Sequence, residues 1–256
     1  MISSSQFQVD RLWSILPGLY SCIITIYSSS SSSLSSCSTM LLMSLLTSVW
    51  GARLTFQFFM KDGYTLTGED YRWKYVKQVL GDNWWVLQGF NLFFVVIYQN
   101  ILLFLLVVPQ LVMVGEDIAI TAVDVLIGCA GFVLIALETV ADNQQQCFQR
   151  RKYKAISEGA ELTGDLKAGF VKGGLFSYCR HPNFVSEVLI WWTFAMFPVS
   201  RLGIGWYFVG AVNLTALFCG SQDLTEQISA KKYPEYAEYQ KRVPAYIPNL
   251  RMMSIK

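Results

Sequence analysis

Polar side chains crowd residues 173–192, at the entry to an apolar stretch. The only histidine of the chain, His181, stands there beside Arg180, and Asn183 and Glu187 follow four residues apart. That spacing places Asn183 and Glu187 on one helical face. Taken alone, a histidine beside an arginine also suits a membrane interface. Together these groups can bind phosphate and amide groups, so the density of donors and acceptors favours a ligand site.

A second polar pair stands at the end of another apolar stretch. Glu138 and Asp142 are four residues apart, so they share a helical face. Carboxylates at membrane depth are costly and usually functional, although Asp142 also fits the exit of a helix into water. Residues 150–154 then hold four basic side chains, beginning with Arg150. Such a cluster suits lipid headgroups or an anionic ligand.

The composition indicates a membrane protein. Hydrophobic residues make up 53% of the 256 residues and charged residues only 15%, which is too apolar for an ordinary soluble domain. Eight Trp and 13 Tyr residues suit membrane interfaces. A net charge of +2 does not favour a nucleic-acid partner. Six cysteines without a CxxC motif are interpreted as free thiols and predict neither a metal site nor a disulfide framework.

Six stretches are apolar enough to predict membrane-spanning helices. They are residues 12–27, 39–59, 84–113, 118–141, 184–199 and 202–220. The third contains Pro109, which predicts a kinked or tilted helix. Only helices and closed barrels span bilayers, so the expected fold is an all-α polytopic bundle with about six spans.

The basic residues support this count of spans. Threading the chain through six spans places 18 of the 20 Lys and Arg residues on one side, with Arg201 alone opposite and Arg53 inside the second stretch. Cytosolic loops collect Lys and Arg, so both termini are predicted to be cytosolic. The connections on the other side are short, so a soluble ligand is expected in a cytosol-facing cavity.

The tail from residue 231 alternates aromatic and charged groups. Tyr233, Tyr236 and Tyr239 are three residues apart, which predicts one helical face. This pattern fits an interfacial helix resting on headgroups or a lid over a cytosolic site.

Several separated segments resemble the steroid 5-alpha-reductase family. GGLFSYCRHPNFVSE, the helix end with Glu138 and Asp142, and the tail YPEYAEYQKRVPAYIP resemble its C-terminal domain. QVDRLWSILP, WGARLTFQF and KDGYTLTGEDYRW resemble a little-characterised branch of the same superfamily. The resemblance implies a helical bundle that holds NADPH in a cytosol-open cavity, with a lipidic enone entering from the bilayer. Residues 1–116 would form the N-terminal spans and substrate-side loop, and residues 117–256 the cofactor-binding half.

The resemblance also implies roles for individual residues. The cofactor set is Glu138, Asp142, Arg150, Tyr178, Arg180, His181, Asn183 and Glu187. Glu69 and Tyr71 are candidates for the catalytic, substrate-side pair. Reductases that act on steroids have Asn where this chain has Glu138, and the Tyr expected shortly after the last span is not evident near Leu224. NADPH use is therefore expected, with a lipid as substrate, and steroid specificity is not.

Two other functions remain open. The sequence RHP followed by an aromatic residue, with a tail of this type, also resembles membrane methyltransferases that use S-adenosylmethionine. Their paired Glu motif is represented here only by Glu226. A non-catalytic membrane protein that keeps the fold is the third hypothesis. An endoplasmic reticulum or other cell membrane suits all three.

Overall fold

Helices form the regular structure of the chain. The computed structural model describes residues 11–31, 37–61, 77, 80–81, 83–115 and 119–247, and no strand occurs within these ranges. The α-helices are α1 Leu16–Ser31, α2 Ser38–Met60, α3 Trp84–Phe90, α4 Gln99–Leu111, α5 Ala122–Ser157, α6 Gly164–Ala168, α7 Pro182–Ala195, α8 Val199–Leu202, α9 Val209–Lys232 and α10 Tyr236–Arg242. Short 3₁₀ helices cover Gly174–Ser177 and Trp206–Phe208. The predicted all-α fold class is confirmed.

Within the described residues, four helical stretches are long and apolar enough to cross a membrane. They are Arg11–Ser30, Ser38–Met60, Trp84–Leu111 and Ala122–Ser157. These four match the first four predicted spans and make the chain a membrane-type helical protein.

The fifth and sixth predicted spans have different bounds in the structure. Helix α7 has 14 residues, and at 1.5 Å per residue it is about 21 Å long, shorter than the roughly 30 Å hydrocarbon core. Helix α9 starts only at Val209 and continues to Lys232, so its second half is polar. Length and polarity therefore set both helices apart from the first four.

The chain divides into two compact units. Unit 1 comprises Met1–Phe132 with Trp191–Leu214, and unit 2 comprises Val133–Ile190 with Thr215–Lys256. Helices α5, α7 and α9 each contribute residues to both units. The two units interleave along the chain, and the division into a substrate-side part at residues 1–116 and a cofactor-binding part at residues 117–256 stays a prediction.

Close helix packing characterises unit 1. The rings of Trp50 and Trp191 meet edge to face with centroids 4.9 Å apart, and both residues are buried. A Cβ on Gly51 would collide with the backbone oxygen of Ser14. Small residues that allow such backbone approach are typical of membrane helix interfaces.

A neutral polar cluster joins α1, α2 and α4 inside unit 1. Gln110 is fully buried; its amide nitrogen donates to Thr25 Oγ1 at 2.8 Å, and its carbonyl oxygen accepts from Ser21 Oγ at 2.5 Å. Ser21 and Ser44 hydroxyls lie 3.0 Å apart. Each helix thus satisfies polar groups of the others, as interhelical hydrogen bonds do in membranes.

The third span contains a π-helix between α3 and α4, at Asn91–Tyr98. Along this segment Phe94 stacks on Phe90 and on Tyr98, with ring centroids 5.0 Å and 5.4 Å apart. Pro109 lies farther along, inside α4. The irregular backbone of this span therefore begins well before its proline.

The tail packs on its own small core in unit 2. Tyr236 and Tyr239 of α10 are buried against Phe170, with ring centroids 5.0 Å and 5.3 Å apart. Tyr239 Oη donates to the carbonyl of Phe176 at 2.5 Å. Burial raises the pKa of Tyr239, so the phenol remains a neutral donor.

Candidate functional site

The two polar pairs singled out in the sequence meet in unit 2. Asn183 Nδ2, at the start of α7, donates to Asp142 Oδ1 of α5 at 3.4 Å across 41 residues of sequence. Asp142 is 7% exposed. Glu138 and Glu187 lie one turn from this contact along their helices, and they are 4% and 3% exposed. The structure thus brings an amide and a carboxylate together, with two further buried carboxylates nearby on the same helices.

Arg180 and His181 have a different partner. Arg180 Nε and Nη2 donate to the two oxygens of Glu226, at 2.7 Å and 3.0 Å. His181 Nε2 lies 2.8 Å from Glu226 Oε1, and Gln240 Nε2 donates to Oε2 at 2.8 Å. We call Arg180, His181, Glu226 and Gln240 the Glu226 cluster. It connects the segment before α7 to α9 and α10.

Hydrogen bonding keeps the Glu226 cluster charged. Burial alone raises the pKa of the Glu226 carboxyl, but hydrogen bonds from His181, Arg180 and Gln240 outweigh it and lower the pKa to about 2. Glu226 is therefore ionised at neutral pH. A buried carboxylate of this kind supplies the counter-charge that a buried guanidinium requires.

The remaining donors of Arg180 hold the chain that follows α10. Arg180 Nη1 donates to the carbonyls of Gln240 and Val243, at 3.0 Å and 2.5 Å. The backbone N–H of Arg180 donates to the carbonyl of Pro244 at 2.9 Å. Arg180 thus uses donors on Nε, Nη1 and Nη2 within unit 2. A contact between Arg180 and a cofactor phosphate stays a prediction.

Glu226 is the residue whose importance the sequence analysis missed. It was weighed only as half of a paired Glu motif, because nothing local marks it. The sequence pointed to Glu226 only indirectly. A segment that contains Arg180 and His181 requires an acidic partner when it is buried.

Unit 2 also contains an open pocket of about 510 Å³, which is lined by residues between 144 and 174. One face of α5 lines it with Gln144, Cys147, Phe148 and Arg151, and the rest of the lining comes from residues 163–166 with Val171, Gly173 and Gly174. Its volume falls within the range of about 300–1,000 Å³ that small-molecule sites occupy. The predicted residue Arg150 is exposed and does not line the pocket, whereas its neighbour Arg151 does.

The other predicted site residues are placed as follows. Tyr178 is half-buried, and its N–H donates to the carbonyl of Leu175 at 3.1 Å. Glu69 and Tyr71, the candidate catalytic pair, lie outside the described residues. Among the described residues no group of three His, Cys, Asp or Glu side chains is arranged to hold a metal ion.

Comparisons with known proteins identify the family. No solved structure matches the chain. A protein of Schizosaccharomyces pombe named Uncharacterized protein C594.04c is 34% identical over 253 residues, which is 95% of this chain and 72% of that protein. The family described as Protein of unknown function (DUF1295) matches residues 1–243. Because this match covers nearly the whole sequence, the chain belongs to the DUF1295 family.

Proposed function

We propose that this chain is a membrane-embedded, NADPH-dependent reductase of a conjugated carbon–carbon double bond in a lipid or steroid-like substrate. The observation that carries the proposal is the contact of Asp142 with Asn183, one helical turn from the buried carboxylates of Glu138 and Glu187. Ionisable groups at membrane depth are costly and are usually retained for function. Apolar helices around them give a lipidic substrate access from the bilayer.

The donors and acceptors of unit 2 fit a nicotinamide nucleotide. A nicotinamide ring carries a carboxamide whose two N–H groups need acceptors, and Asp142 and Glu187 offer carboxylate oxygens. Asn183 adds an amide that both donates and accepts. The basic residues Arg150 and Arg151 suit the phosphates. Unit 2 therefore contains hydrogen-bonding groups suited to the carboxamide of the cofactor and basic residues suited to its phosphates.

NADPH, when bound, supplies a hydride for the β carbon of the conjugated double bond. The side chains of the protein would bind and orient the cofactor. Asp142, Asn183 and Glu187 would bind its carboxamide. Tyr71, with Glu69 as its partner, would donate its proton to the substrate carbonyl oxygen as the electrons move there, and the enol so formed would tautomerise to the saturated carbonyl compound.

A second candidate is a methyltransferase that uses S-adenosylmethionine. The observation in its favour is that Glu226 contacts both Arg180 and His181, the residues that carry that resemblance. The reductase is preferred because Glu138 and Asp142 have no part in the methyltransferase resemblance.

Cofactor binding separates these candidates. The purified full chain is titrated in detergent with NADPH and, separately, with S-adenosylmethionine, using calorimetry. The reductase proposal requires saturable NADPH binding and consumption of NADPH when lipidic enones are added. Binding of S-adenosylmethionine alone would favour the methyltransferase, and binding of neither would leave a non-catalytic membrane protein.

The same proposal places the chain in the endoplasmic reticulum or another cell membrane with both termini in the cytosol. The distribution of Lys and Arg supports this orientation, since only Arg201 lies on the opposite side in the six-span topology. A glycosylation reporter fused to the C-terminus should remain unmodified. A glycosylated reporter would overturn the topology.

A further inference from the structure

The open pocket of unit 2 is built by a single helical face and a loop that is fixed against it. Gln144, Cys147, Phe148 and Arg151 follow the spacing i, i+3, i+4, i+7 on α5, so their side chains project in one direction. Residues 163–166 with Val171, Gly173 and Gly174 form the other wall. The two walls enclose about 510 Å³.

Hydrogen bonds from both walls keep the pocket open. Gln144 Oε1 accepts from the backbone N–H of Leu175 at 2.9 Å, and Asp165 Oδ2 accepts from the N–H of Lys172 at 3.2 Å. Gly174 has φ +63°, and a Cβ there would lie 2.5 Å from Gln144 Oε1. The left-handed φ of Gly174 favours glycine, and a Cβ there would displace the Gln144 amide that accepts from Leu175, so this glycine supports the contact between the loop and α5.

The lining combines three kinds of recognition. Arg151 is an exposed cation in the lining. Asp165 lends one oxygen to the Lys172 N–H and keeps further acceptor capacity. Phe148, Leu166 and Val171 give an apolar surface between them. A guanidinium binds phosphate, a carboxylate accepts from sugar hydroxyls, and an apolar wall with an aromatic ring suits a base.

We infer that this pocket binds the phosphate-bearing nucleoside end of a nucleotide, with the phosphate on Arg151 and a hydroxyl or amine of the nucleoside on Asp165. The inference rests on the proposed use of a nicotinamide nucleotide and extends it, because it locates the adenosine end on residues outside the predicted cofactor set. Arg151, which lines the pocket, then contacts the phosphate of the nucleoside end.

Cys147 gives a direct probe, because it is exposed and lines the pocket. The exposed cysteines Cys129 and Cys219 are first replaced by Ser in the full chain. The rate at which a water-soluble maleimide labels Cys147 is then measured with and without adenosine 2′,5′-bisphosphate, which carries phosphates and adenosine but no nicotinamide. We expect the ligand to slow labelling by about tenfold or more at saturation.

Matched variants assign the effect to the pocket. Arg151→Gln should weaken adenosine 2′,5′-bisphosphate by about tenfold or more, as expected for loss of a charge-assisted hydrogen bond. Lys167→Gln removes the same charge from an exposed residue that follows the pocket wall but does not line the pocket, and it should leave the affinity within about twofold. Equal weakening by both variants would show general charge attraction and overturn the inference.

The remaining outcomes separate this inference from the proposed function. NADPH binding that leaves Cys147 labelling unchanged would overturn the pocket assignment while the reductase proposal stands. Protection by adenosine 2′,5′-bisphosphate without any NADPH oxidation would support the pocket and count against the reductase. Protection by phosphatidic acid in nanodiscs, with none by the nucleotide, would assign the phosphate to a lipid headgroup and overturn the inference.

Discussion

The two units solve the problem of buried polar groups in different ways. In unit 1 a neutral amide, Gln110, is surrounded by the hydroxyls of Ser21, Thr25 and Ser44, and these groups satisfy one another. In unit 2 the buried polar groups include four carboxylates, at Glu138, Asp142, Glu187 and Glu226. Neutral groups connect helices at low cost, whereas buried carboxylates require cations or strong donors. The difference indicates that the neutral groups of unit 1 mainly hold helices together, and it supports the proposal that unit 2 binds the cofactor.

A buried ion pair in unit 1 sharpens this contrast. Asp124 is fully buried, and Arg201 Nη2 donates to its Oδ2 at 2.7 Å. The hydroxyl and N–H of Thr121 bind the same oxygen, at 2.7 Å and 2.9 Å. This carboxylate already has a cation and local donors, so it serves as a brace between chain segments. A charge by itself therefore does not mark a ligand site.

The largest expected effect is the loss of the Glu226 carboxylate. Glu226→Ala leaves the Arg180 guanidinium buried without a counter-charge, which typically costs about 3–5 kcal/mol of stability. Thermal unfolding in detergent should show a large decrease in Tm. Glu235→Ala is the control, because its exposed ion pair with Lys172 contributes about 1 kcal/mol or less. Equal effects of the two substitutions would remove the distinction between the Glu226 cluster and a surface pair.

Acid should weaken the same cluster. The pKa of Glu226 is lowered from 4.5 to about 2 in the folded protein. The stability that it contributes is therefore present above about pH 4.5 and lost as the pH falls towards 2. A shift of this size corresponds to about 3 kcal/mol. The difference in unfolding free energy between the natural protein and Glu226→Gln should shrink across that pH range; a constant difference would contradict the ionised carboxylate.

Glu187 separates a ligand site from a structural carboxylate. Glu187→Gln keeps the side-chain volume but weakens acceptance from the cofactor carboxamide. The loss of such a hydrogen bond typically costs about 1.5–3 kcal/mol, so NADPH affinity should fall at least about tenfold while Tm is retained. Calorimetry and thermal unfolding on the same sample check both expectations. A lower Tm with an unchanged affinity would make Glu187 a structural residue of unit 2.

The smallest expected effect belongs to the neutral cluster of unit 1. Gln110→Leu removes the amide, but Ser44 still has Ser21 and Thr25 within 3.0 Å and 2.7 Å. Interhelical hydrogen bonds in membranes contribute about 0.6 kcal/mol on average, so the loss should be about 1 kcal/mol. Thermal unfolding compares the decrease in Tm of Gln110→Leu with that of Glu226→Ala. A loss as large as that of Glu226→Ala would contradict the difference between the units.

Apolar stretches and charge spacing predicted much of this architecture because both are local properties. The first four spans follow from runs of apolar residues, and the faces that carry Asp142 and Asn183 follow from helical periodicity. The contact between those two residues is long-range, so periodicity predicts the faces but not their meeting. Glu226 was missed for the same reason, since its partner Arg180 lies 46 residues away.

Backbone irregularities were less accessible to sequence analysis. The composition of residues 91–98 does not distinguish a π-helix from an α-helix, because the two forms differ in the spacing of their backbone hydrogen bonds. The late start of α9 at Val209 also escaped prediction. Residues 202–208 are as apolar as the helix that follows, so hydropathy alone does not mark the boundary.

The contacts of Arg180 also impose an order on synthesis. Its carbonyl partners at Gln240 and Val243 lie 60 and 63 residues later in the chain. While the ribosome is still making those residues, the guanidinium has no access to them, and unit 2 cannot complete its fold. A chain that stops before residue 240 would therefore remain an incomplete fold and a substrate for quality control, even though the four long apolar helices would already be made.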